Sequence, residues 1–275
     1  MSGHSSHIAA LLIVAGALGM TSCAGGSATT STRADFYWSA ARETYGLGDY
    51  AKTANHLEHL IGDQNAYTAR AIPWYLVITA GMTNGYIELA EQQAAGARHN
   101  KAAAAAFRSK AAAYRTMASQ WAMRFAQNAD KLQDIPLGAL PLRFGLPKGN
   151  AAEPELLGQI ADGVELSAAD AETAEVLTLQ RAVLMAACRA AGAPQDVAKA
   201  TEILGQPLAE VPRAVFGQAI ADMLKAEAAL YTRNKLDEPE KLAAMQARAE
   251  MAAKEAARVG SARFVPATGV AQVNH

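Results

Sequence analysis

His56 and His59 stand one helical turn apart with Glu58 between them. On a helix their rings share a face, which is the spacing of a two-point metal site. Neighbouring residues supply no third ligand, and Asn55 to His59 lacks the spacing of the zinc-protease helices. Leu57 and Leu60 mark the buried face beside them, so both rings are expected to pack or be solvated, and no metal or other cofactor is implied. His99 is expected only to open a helix. Of the two cysteines, Cys188 falls in the apolar run LTLQRAVLMAACRAAG, where a thiol behaves as a small hydrophobe. The chain has no glycine-rich phosphate cradle, no glycine-flanked serine elbow and no CxxC pair. No catalytic residue is therefore assigned, and an enzyme is the least expected class. The aromatic residues are concentrated in the first half. Tyr45, Trp74, Tyr75 and Trp121 are the candidates to line a ligand cleft or groove; the competing expectation is that such rings fill space between alanine-rich helices.

The elements that must position these residues are helical. Of 275 residues, 51% are hydrophobic and 19% charged, enough apolar material for a buried core. Lys and Arg number 25 against 26 Asp and Glu, so no general attraction to nucleic acid or anionic lipid follows. From Asp35 onward Ala, Leu, Met, Glu, Gln, Lys and Arg dominate, and period-two alternation is nearly absent. Helices are expected at 35–47, 50–62, 68–95, 99–130, 153–162, 168–191, 195–205, 212–233 and 238–259. Short turns at Gly46-Leu47-Gly48 and Gly192-Ala193-Pro194 make neighbouring helices antiparallel. The expected fold is all-α, an array of helical hairpins or an irregular bundle over residues 34–261. Within it, residues 134–153 carry Pro136, Pro141 and Pro147, which exclude a helix. The apolar Leu137, Leu140, Leu142, Phe144 and Leu146 in that loop are expected to pack on the domain rather than be solvated. Residues 262–275 lack helical period and are expected to form a loose tail.

The start of the chain carries an address. Ile8 to Leu18 is an apolar stretch too short to span a bilayer, and small residues follow it up to Cys23. Met20-Thr21-Ser22-Cys23 resembles the lipobox of bacterial lipoproteins, in which a hydrophobic residue and two small ones precede the acylated cysteine. The resemblance implies a signal peptide over residues 1–22, cleavage before Cys23, and acylation by a diacylglyceryl group and a palmitate-like chain. More than one chain makes such an anchor stable. Ala24 stands where, in the enterobacterial systems it resembles, Asp would favour inner-membrane retention; the outer membrane, on its periplasmic side, is the expected location. After Cys23 comes the uncharged Gly, Ser and Thr stretch AGGSATTST, and residues 23–33 are expected to be a flexible tether. With Cys23 acylated, Cys188 has no partner for an internal disulfide, so stability must come from packing.

Residues 34–67 resemble one tetratricopeptide repeat. Tyr37 takes the large aromatic position, Ala41 the small position where two helices touch, Gly48-Asp49-Tyr50 the turn, and Leu57, Leu60 and Ile61 face back. Thr53 stands where that family prefers alanine and Asn65 where it prefers proline, and a fainter pair runs from Ala168 to Leu204. The helices between them are too long for a regular 34-residue module. Together these features lead to the expectation of a lipid-anchored envelope protein acting as a protein–protein interaction scaffold, with an envelope protein or peptide as partner. The alternative is a solute-binding lipoprotein that passes its ligand to a transporter, by analogy with the tetratricopeptide-like lipoproteins of TRAP transporters.

Overall fold

A computed structural model of the chain describes residues 26–135, 139–233 and 239–262. Cys23, the signal segment, Leu137 and the tail from residue 263 lie outside the described residues. The first hairpin is α1 (Gly26–Leu47) and α2 (Tyr50–Gly62). Gly48 makes the turn at φ +77°, a left-handed conformation that a β-carbon would strain. Asp49 caps α2, its carboxylate accepting from the Lys52 amide at 3.1 Å. The buried Thr53 hydroxyl donates to the Asp49 carbonyl at 2.8 Å and bonds the Thr44 hydroxyl at 3.0 Å. A hydroxyl at this small-residue position therefore ties the two helices together instead of being left unsatisfied.

α1 begins earlier than the sequence suggests. Its first residue is Gly26, so the helix takes in most of the stretch expected to be a flexible tether. Ala34, Ala41 and Tyr45 are buried against the domain, and a helix nucleated by that packing extends cheaply toward its N-terminus.

The second hairpin joins α3 (Thr68–His99) to α4 (Ala104–Asn128), and α3 is the axis of the molecule. Every residue from Ala71 to Thr83 is buried, a pattern only a helix covered on all sides can show, and α2, α4 and α6 (Ala168–Ala190) all pack on it. Gly81 lets α6 come close: a β-carbon there would lie 2.5 Å from the Val183 Cα. α3 outruns its expected end, and His99 closes it rather than opening the next helix. Asn100 is the reason. Its amide bonds the Gly96 carbonyl at 2.8 Å while its side-chain oxygen accepts from the Ala103 amide at 3.0 Å, ending one helix and leading into the other.

After α4 a 3-10 turn (Ala129–Asp134) leads to the proline-rich loop. Its strand β1 (Ala139–Pro141) pairs antiparallel with β2 (Glu210–Pro212), Leu140 opposite Val211, and both of these side chains are fully buried. α5 (Glu155–Ala161), α6, α7 (Val197–Leu204), α8 (Arg213–Arg233) and α9 (Pro239–Ala262) complete the order. α7 buries only Ala200 and Leu204, so the α6–α7 pair lacks the long mutual face of α1–α2. α8 and α9 form a third hairpin on the side of α6 and the 3-10 turn. The result is an all-α bundle around one buried helix, with a two-stranded ribbon that clips the loop in place.

Candidate functional site

Most of the first-half aromatic residues with ring or side-chain partners gather into three groups, each of which joins elements. Phe144, from the proline-rich loop, stacks on Trp74 with centroids 5.6 Å apart and packs against Trp38 at 4.8 Å and Tyr45 at 5.0 Å. Tyr45 donates to the Gly145 carbonyl and Tyr50 to the Lys148 carbonyl, each at 2.7 Å. These rings clasp the loop, and Leu140, Leu142, Phe144 and Leu146 are packed as expected. Burial raises the Tyr45 phenol well above its ordinary range, and the neighbouring Tyr50 adds to the effect. The Trp74 Nε1–H is buried without a hydrogen-bond partner, an arrangement of packing rather than of polar recognition.

A second group stands between α2, α3 and α4. Arg124 donates to Glu58 at 2.7 Å and to Asn55 at 2.8 Å, and its guanidinium lies 4.3 Å from the Trp121 ring centroid. Tyr75 donates to Glu58 at 3.1 Å, and burial, the largest influence, pushes its phenol up to about 12. In the third group Tyr114 donates to Glu175 at 3.0 Å and Tyr86 does so at 3.4 Å, linking α3 and α4 to α6. Burial is again the largest influence on Tyr86, which is pushed up to about 12.

The four candidate groove residues are thus core residues. Trp74 and Tyr75 are wholly inaccessible, and Tyr45 and Trp121 are each 5% exposed. The expectation of a ligand cleft lined by these residues is corrected: alanine-rich helices leave space at their crossings, and large rings fill it. Tyr45 and Trp74 sit in the loop clasp while Tyr75 and Trp121 belong to the arginine-centred group. His56 and His59 do share a face, but both rings lie against Tyr37, at 6.2 and 4.2 Å, the second stacked. Among the described residues no three His, Cys, Asp or Glu side chains come together to hold a metal, and no helix is long and apolar enough to cross a membrane. Cys188 is buried, and that burial raises its pKa above the usual thiol value.

An accessible concavity lies elsewhere. Arg189, Gly192 and Pro194, at the end of α6 and the turn after it, face Val215, Gln218 and Asp222 of α8 across a cleft of about 700 Å³. The Gln218 amide donates to Asp222 at 2.9 Å, and Val215, 38% exposed, is part of an apolar floor. The reason is local sequence. Phe216, Ile220 and Leu224 turn α8 toward the core, and Ala214, Ala219 and Ala226, half-buried beside that face, are too small to fill the space next to α6. Sequence inspection passed over this site because alanines on a helix read as helix formers; the signal was their recurrence with Gln218 and Asp222 at intervals of three and four residues. Two further cavities, of about 20 and 30 Å³, lie at Asp130–Arg248 and at Gln93–Phe107, each roomy enough for about one or two waters. Compared with known proteins, the chain matches no family model, no curated protein and no solved structure.

Proposed function

We propose that the chain is a lipid-anchored protein of the bacterial envelope that serves as an interaction scaffold, offering the α6–α8 cleft to a segment of another envelope protein. The observation that carries the interaction reading is the division of labour among its apolar residues. The rings that a solute carrier would place around a ligand are consumed in the core, while the large cleft is floored by small aliphatic side chains with Arg189 and Asp222 at its edges. Such a floor accepts the apolar side of a peptide or helix, and two opposite charges fix its register. The anchor reading rests on the resemblance of Met20 to Cys23 to a lipobox, and Ala24 favours the outer membrane.

A photo-crosslinking amino acid at Gln218, expressed in the native envelope, tests the cleft. The expected result is one protein adduct at Gln218, absent when the same probe stands at exposed Met117 and lost on Ala219→Arg. Equal adducts at both positions, or none, would overturn the interaction reading. A small molecule retained by the intact protein in native mass spectrometry, with no adduct, would transfer the cleft to a solute. Cys23→Ser tests the anchor separately: the variant is expected to leave the membrane fraction and to take up no labelled palmitate.

A further inference from the structure

We infer that the outer face of the α1–α2 hairpin, carrying Arg33, Phe36, Tyr37 and His59, lies on the lipid headgroups of the membrane that holds the anchor. The inference rests on the proposed acylation of Cys23, and the start of α1 gives it force. Between Cys23 and Gly26, the first residue of α1, only Ala24 and Gly25 intervene. Three residue steps span at most about 11 Å. A domain on a ten-residue leash could hold any face toward the membrane, whereas this one cannot move its first helix away. Phe36 follows Gly26 by ten residues, about 15 Å along the helix axis. A reclining α1 therefore brings that ring to the surface.

The chemistry of the face suits that position. Phe36 is 64% exposed, which is unusual for a large ring beside a well-packed hairpin, and it rests edge-on against Tyr37 at 5.4 Å. Tyr37 stacks on His59 at 4.2 Å, and the Arg33 guanidinium lies 5.7 Å from the Tyr37 ring. The Asp35 carboxylate, the acidic group nearest in sequence, is engaged by the Tyr67 hydroxyl at 2.6 Å. An apolar ring, two amphipathic rings and a cation are the composition that settles at the boundary between acyl chains and headgroups, and Arg33 meets anionic phosphates there. A protein partner on this face would compete with the bilayer for the same space.

The mature acylated chain from Cys23 onward, reconstituted in vesicles of phosphatidylethanolamine and phosphatidylglycerol, provides the test. Phe36→Trp and, as a reference on exposed α6, Val176→Trp are compared in vesicles with and without bromine on the acyl chains. Bromine is expected to quench the extra emission of Phe36→Trp, with a blue shift relative to Val176→Trp, and to leave the Val176→Trp increment unchanged. Both variants alter exposed positions, and circular dichroism confirms their folding. Flotation separates the two ways of failing. A chain that floats with the vesicles but shows equal quenching at the two positions overturns the headgroup contact alone; a chain that does not float overturns the anchor reading, and this inference with it.

Discussion

Gly81→Ala sets local helix preference against tertiary packing at a place where the two oppose each other. In the middle of α3, alanine in place of glycine would by itself favour the helix by about 1 kcal/mol. The added β-carbon would lie 2.5 Å from the Val183 Cα and 2.8 Å from its Cγ2, against 3.4–4 Å for ordinary contact. Relieving the first overlap means moving α6 outward by about 1 Å, because the obstacle is backbone and no rotamer change removes it. Overpacking of this kind costs about 1–3 kcal/mol, and a backbone obstacle places it in the upper half of that range. The net expectation is a loss of about 1–2 kcal/mol, equivalent to about 2–4 °C in Tm per kcal/mol for a domain of this size. Urea unfolding followed at 222 nm gives the value from the midpoint, provided the slope is unchanged. Gly46→Ala in α1, where the new methyl meets nothing within 4 Å, is the companion measurement and should be neutral or gain up to about 1 kcal/mol. Val183→Ala in the Gly81→Ala background should restore only part of the loss, since the Cα overlap remains. A Gly81→Ala protein as stable as the wild type would refute the close α3–α6 packing on which the central position of α3 depends.

Tyr45→Phe removes the hydroxyl that donates to the Gly145 carbonyl and should cost about 0.5–1.5 kcal/mol, with faster hydrogen exchange confined to residues 142–148 as the specific readout. Glu88 pairs with Arg181 at 2.6 Å, yet its pKa is raised because desolvation outweighs the attraction. A carboxyl held above its unfolded value binds its proton more tightly in the fold, so its contribution is present below the carboxylate range and lost as pH rises through the raised pKa. Gln carries no such proton; the stability of Glu88→Gln relative to wild type should therefore improve from about pH 4 to pH 7, and a difference independent of pH would count against the burial of Glu88. Cys188 is buried with its pKa raised, so an aromatic disulfide reagent should react with it only at the rate of unfolding, and faster labelling in the native state would show an opening at the end of α6.

Helix content and most helix boundaries were legible in residue order because they depend on local matters, side-chain propensity and the Gly and Pro breakers; the caps at Asp49, Ser167 and Asp196 were added by the structure. The turn at Gly48 and the burial of Leu140 and Leu142 were legible for the same reason, a backbone need in one case and unhidden apolar bulk in the other. The early start of α1 was not, because a Gly, Ser and Thr stretch has weak helix preference of its own and extends a helix held by packing farther along. Nor could composition say which side of an aromatic ring would be covered. Tyr45 and Trp74 became core because a loop one hundred residues away in the case of Gly145 closes over them, and Trp121 because Arg124, Glu58 and Tyr75 converge beside it from three helices. The α6–α8 cleft is likewise a product of assembly: alanines on α8 are unremarkable until a neighbouring helix stops short and leaves nothing to meet them. Sequence sets what each segment can form through interactions a few residues long, whereas which faces meet, and which stay open, depends on contacts whose partners lie far apart in the chain.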